Sequence, residues 1–79
     1  MNAEARKAAT RLETAVRNTN RWAHAFTGDW SASQAQRNRA DDRREAWAFR
    51  QAEAAAVLDN EVGADGWGWD DGLGCVFFK

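Results

Sequence analysis

Residues 27–34 read Thr27-Gly28-Asp29-Trp30-Ser31-Ala32-Ser33-Gln34, and they divide two long stretches of helical periodicity. Gly28 offers a left-handed stop to the helix before it. Ser31-Ala32-Ser33-Gln34 has the spacing of a capping box, in which a serine hydroxyl covers an orphan amide and a glutamine reaches back. Trp30 then stands where a hydrophobic staple would pack. Upstream, Ala5, Ala8, Leu12, Ala15/Val16, Thr19, Trp22/Ala23 and Phe26 recur at three- and four-residue steps. This spacing predicts an amphipathic helix over 3–26. Downstream, a second helix is expected over 31–62, stopped by Gly63. Its inward stripe would be Ala32, Ala35, Ala40, Trp47, Ala54, Leu58 and Val62, with Ala46 and Val57 beside it. Glu13–Arg17 and Arg37–Asp41 have the spacing of surface ion pairs. Helices this long, joined by about five residues, lie antiparallel.

The tail changes character. Gly63-Ala64-Asp65-Gly66-Trp67-Gly68-Trp69-Asp70-Asp71-Gly72-Leu73-Gly74-Cys75-Val76-Phe77-Phe78 has no helical period, and Asp71-Gly72 signals a hairpin turn. Two registers are open. A loop of Asp70-Asp71-Gly72 sets Trp69 opposite Leu73 and Trp67 opposite Cys75. A loop of Asp71-Gly72 sets Trp69 opposite Gly74 and Trp67 opposite Val76. The first is preferred because it gathers Trp67, Trp69, Leu73, Cys75 and Phe77 on one apolar face. A lone two-stranded hairpin is marginal, so it must pack on the helices. The expected fold is α+β: one domain over 1–79, with two long antiparallel helices and a hairpin tail over 63–79.

Composition narrows the function. The chain has 79 residues, 44% hydrophobic, with five Trp and four Phe but 17 Ala, so its large apolar side chains are few. A single Cys75 leaves no intramolecular disulfide and no cysteine zinc cage. No stretch has the roughly 20 apolar residues of a membrane span, and no apolar leader follows Met1, so a cytoplasmic protein of a bacterial host is expected. The net charge of −1 hides a split. Residues 1–50 hold ten basic and six acidic residues, net +4; residues 51–79 hold six acidic residues and Lys79, net −5. Such a dipolar exterior docks by complementary fields.

Motifs for chemistry are sparse. His24 and Cys75 form the only thiol–imidazole pair on offer, and no residue supplies a third member. Asp65, Asp70 and Asp71 sit among glycines but lack the spacing of a calcium loop and read as turn residues. The Gly66, Gly68, Gly72 and Gly74 set is followed by no phosphate-loop lysine and opens no helix. No enzymatic activity, metal or cofactor is therefore expected. Arg37, Arg39, Arg43, Arg44 and Arg50 with Trp47 could contact nucleic acid, but Asp41, Asp42 and Glu45 interrupt them. Protein binding has the positive support, because Trp and Arg dominate interface hot spots. The candidate partner-binding residues are Glu53, Asp59, Glu61, Asp65, Trp67, Trp69, Asp70 and Asp71. Arg37, Arg39, Arg43, Arg44 and Arg50 form a secondary basic face.

In size, low cysteine content, mixed charge and lack of catalytic motifs, the chain resembles the small phage inhibitors known as anti-CRISPR proteins. That resemblance covers the whole chain as a profile and carries over no site residue. It implies a non-enzymatic inhibitor that contacts a CRISPR effector complex and blocks its binding of target DNA. The alternative is a small nucleic-acid-binding or transcription-regulating protein that uses the Arg-rich second helix. Either a monomer or a homodimer of Ala-faced helices fits the pattern.

Overall fold

A computed structural model describes residues 2–79. Helix α1 (Ala3–Ala23) begins at Asn2, whose side-chain oxygen accepts from the Ala5 amide at 2.7 Å. Its inner face is Ala5, Ala8, Leu12 and Ala15, all buried, with Ala9 beside them. These small side chains let a second helix come close. The expected extension to residue 26 is not helical. Ala23 is the last helical residue, and His24, Ala25, Thr27 and Asp29 donate to carbonyls three or four residues back. The reason lies one turn earlier. Thr19 and Asn18 turn their side chains onto the Ala15 and Thr14 carbonyls at 2.7 and 3.0 Å, which weakens a helix near its end.

Helix α2 (Gln34–Val62) also starts later than expected. Ser31 is not its cap, because the Asp29 carboxylate accepts from both the Ser31 amide (2.9 Å) and the Ser31 hydroxyl (2.6 Å). The capping box forms two residues on. Ser33 Oγ accepts from the Gln36 amide at 3.1 Å, and Gln36 Oε1 accepts from the Ser33 amide at 2.8 Å. Trp30 therefore lies outside any staple position and is 95% exposed. Gly63 ends α2 as expected. Ala40, Ala54 and Leu58 of the expected stripe are buried; Trp47, Val57 and Val62 are half-buried; Ala35 and Ala46 are exposed. The true inner row keeps a three-four spacing through the half-buried Arg37, Arg44, Trp47 and Gln51. It is polar in its first half, so the core is concentrated toward the C-terminal end of α2.

Strands β1 (Trp67–Asp70) and β2 (Cys75–Phe78) pair antiparallel. Both expected registers are wrong. Residues Asp71–Gly74 form a four-residue turn, and the pairs are Trp67–Phe78, Gly68–Phe77, Trp69–Val76 and Asp70–Cys75. Gly74 holds the left-handed φ of +67° that closes the turn, its amide donating to the Asp70 carbonyl at 2.7 Å. Trp67, Trp69, Val76 and Phe78 face the helices, packing on a cluster of Ala5, Ala8, Ala9, Leu12, Ala54 and Leu58. Leu73, Cys75 and Phe77 do not join that face; Leu73 is 79% and Phe77 43% exposed. One residue of register exchanges the two faces of a strand, and burying two indoles, a valine and a phenylalanine decides which one wins. Gly66 permits the tight approach into β1, because a side chain there would strike the Val62 carbonyl.

Candidate protein-binding surface

The hairpin is fixed to the helices by polar contacts as well as apolar ones. The Val76 amide donates to Glu13 Oε2 at 2.8 Å, and the Trp67 indole N–H donates to Asp59 Oδ1 at 2.7 Å. The Lys79 amide donates to the Gly66 carbonyl at 3.1 Å, closing the open end of the hairpin. Inside the turn, Asp70 Oδ1 accepts from the Leu73 amide at 3.0 Å. These contacts hold Leu73 at the tip and Phe77 on the outer face in one arrangement, which lowers the ordering cost of binding.

The expected acidic surface divides. Asp59 is committed to Trp67, Glu61 accepts from the Asn2 side-chain amide at 2.9 Å, and Asp70 shapes the turn. Asp65 and Asp71 are exposed, Asp65 ahead of β1 and Asp71 in the turn, where it also borders the groove that Trp67 and Trp69 wall. Among the described residues the ion pair is Glu4–Lys7 at 3.7 Å, so neither aspartate is neutralised by a salt bridge there. Glu53 lies elsewhere, in the groove between the helices that Trp47 and Arg50 also line. Trp67 and Trp69 are half-buried against the core, and their inner sides wall an open apolar groove of ≈ 600 Å³ with Leu12, Val16, Ala48 and Ala52.

Comparison with protein-family models, curated proteins and solved structures finds no match to this chain.

The basic face is partly committed to the fold. Arg37 donates to the Asp29 carbonyl at 2.7 Å, Arg43 stacks over the Trp22 ring at 5.2 Å, and Arg50 over Trp47 at 4.4 Å. Arg39 is exposed and Arg44 half-buried. The Glu13–Arg17 and Arg37–Asp41 pairs do not form among the described residues, since Glu13 serves β2 and Arg37 serves the loop. At the loop, the two Ser31 hydrogen bonds hold the Asp29 carboxyl below its ordinary range against the opposing effect of desolvation, and Arg37 adds a smaller attraction.

His24 and Cys75 are not brought together. Cys75 precedes Val76, which meets α1 at Glu13, and His24 lies about 16 Å farther along the helix at 1.5 Å per residue. Among the described residues no three His, Cys, Asp or Glu side chains converge as a metal site, and no helix is long and apolar enough to cross a membrane. Reading the sequence missed Trp30 and Phe49 as exposed aromatics, the latter 67% exposed. It also placed Leu73 and Phe77 in the core. The alternation of Phe77 with Val76 and Phe78 was the available signal.

Proposed function

We propose that the protein is a non-enzymatic inhibitor that binds another protein through the outer face and tip of its hairpin. The supporting observation is the pairing of exposed apolar side chains, Leu73 and Phe77, with the unneutralised carboxylates of Asp65 and Asp71. An apolar centre with a charged rim is the usual anatomy of a protein interface. Here the centre would be desolvated on contact and set the lifetime of the complex, while the rim would steer approach toward a basic surface. A basic surface of that kind lines nucleic-acid channels, and we take the target to be a CRISPR effector complex whose DNA-binding surface is covered. Trp67 and Trp69 then serve as the base that holds the hairpin in place. The alternative role for α2, direct nucleic-acid contact along its arginine row, is disfavoured because Asp41, Asp42 and Glu45 interrupt that row and Arg37 is bonded to the Asp29 carbonyl.

The test adds the protein to a panel of purified CRISPR effector complexes and follows target-DNA binding by gel shift. At least one effector should lose DNA binding. The Asp65→Lys/Asp71→Lys variant should restore it, and Asp70 is left intact because it shapes the turn. Unimpaired DNA binding across the panel, or equal inhibition by a variant with wild-type circular dichroism, overturns the proposal.

A further inference from the structure

Helix α1 turns two unlike faces outward and inward. Away from its buried alanines it carries Arg6, Lys7, Arg17 and Arg21, with Arg11 at the edge of the groove beside Ala8, all five exposed. The two carboxylates of the helix leave most of this charge uncancelled. Glu13 is turned to the Val76 amide, and Glu4 pairs with Lys7 at 3.7 Å. Arg17 rests on the Thr14 hydroxyl at 3.4 Å, and Arg21 lies 5.8 Å from the Trp22 ring; neither contact changes its charge. Arg11 and Thr10 then border a groove of ≈ 440 Å³ whose far wall on α2 holds Arg50 stacked on Trp47 at 4.4 Å. Glu53 is the one carboxylate lining that groove. The hairpin covers the other groove of the helical pair, which Leu12, Val16 and Thr19 of α1 line, and β2 meets α1 at Glu13, one turn from Arg17. Among the described residues no carboxylate of the tail makes a salt bridge with these cations.

We propose that this face of α1 binds a single strand of nucleic acid. Its phosphates would follow the row from Arg6 to Arg21, and a base would lie in the groove beside Arg50 and Trp47. From Lys7 to Arg21 the row spans about 21 Å at 1.5 Å per residue, close to six nucleotides at about 3.4 Å each. At about 3.6 residues per turn Arg17 lies about 120° around the helix from Arg11, so a flexible single strand can follow the cations where a stiff duplex cannot. Arginine planes beside an aromatic ring are the platform on which single-stranded bases stack, whatever their identity. This inference stands apart from the hairpin's role, because it concerns the isolated protein and a different face.

The experiment is fluorescence anisotropy of the isolated protein with a labelled oligothymidylate, a duplex of equal length and a polyglutamate peptide. The single strand should bind most tightly. Its affinity should fall with salt with a logarithmic slope of about −3, near 0.7 for each of about four phosphates. The Arg11→Glu/Arg17→Glu/Arg21→Glu variant should weaken binding by about tenfold or more, with helicity retained because all three side chains are exposed. Arg17→Glu should cost more than Lys79→Glu, which changes the net charge equally but lies at the end of β2 and not on α1. The proposal is overturned by absence of single-strand binding at low salt, by equal or tighter binding of the duplex or the peptide, or by equal losses from Arg17→Glu and Lys79→Glu.

Discussion

The two ends of the helical pair are built on different principles. At the end where the hairpin folds back, Leu12 and Leu58 are 3% and 0% exposed, and four large side chains from the strands cover them. At the other end, the inner row of α2 is Arg37, Ala40 and Arg44, and only Ala40 is fully buried. That end is organised by directional contacts: the Ser33 capping box, the Asp29–Ser31 turn, the Arg37 bond to the Asp29 carbonyl and the Arg43–Trp22 stack. The difference teaches where stability resides. Burial of apolar area is the large term in folding, whereas a cap or an exposed cation–π contact contributes on the order of 1 kcal/mol. The hairpin end therefore carries the fold, and the loop end is tuned by hydrogen bonds.

The largest expected effect follows at once. Leu58→Ala should destabilise the protein by about 2–5 kcal/mol in urea denaturation, since the residue is enclosed and the cavity cannot fully collapse. A loss no greater than that of a surface substitution would break the comparison between the ends. Gly66→Ala should cost about 1–3 kcal/mol, because the new methyl meets the rigid Val62 carbonyl. The near-ultraviolet signal of Trp67 and Trp69 should weaken with it. At the loop end, Ser33→Ala should cost about 1 kcal/mol, and more than Ser31→Ala. The reverse order would place the cap at Ser31.

The smallest effect is a titration. Asp29 accepts more hydrogen bonds as a carboxylate, so its folded-state value lies below the ordinary 3.8. Its contribution is present above that value and is lost as the pH falls through the depressed one. The thermal midpoint of the wild type should exceed that of Asp29→Asn at neutral pH, and the gap should close on acidification below about pH 4. A gap that widens with acid would contradict the Asp29–Ser31 geometry.

Much of the fold was legible because helical spacing is redundant. Ala5, Ala8, Leu12 and Ala15 mark one face of α1, and Gly63 marks the end of α2. The start of α2 was harder, since Ser-x-x-Gln occurs at both Ser31 and Ser33, and the Asp29 side chain chooses between them. The hairpin was visible in Asp71-Gly72, but its register was not. Counting apolar residues placed Leu73 inside, whereas the turn extends through Gly74 and leaves Leu73 at the tip. The candidate surface was legible only as a charge total. Which carboxylates are consumed by the fold depends on Trp67, Leu73 and Asn2 arriving beside Asp59, Asp70 and Glu61. The Asn2–Glu61 contact joins the start of α1 to the end of α2, which no local pattern links, and the Asp70–Leu73 contact depends on a turn length that the sequence left open.

The central claim is that the apolar side chains holding the hairpin in place and the apolar side chains doing the binding are separate sets, Trp67, Trp69, Val76 and Phe78 facing the helices and Leu73 and Phe77 facing away. Leu73→Ala/Phe77→Ala separates them in one protein. The variant should lose no more than about 1–2 kcal/mol, because Leu73 is 79% exposed and the Phe77 ring lies over Gly68, while failing to displace target DNA from any effector that the wild type inhibits. Full inhibition by this variant, or its unfolding alongside the loss of inhibition, would contradict the account.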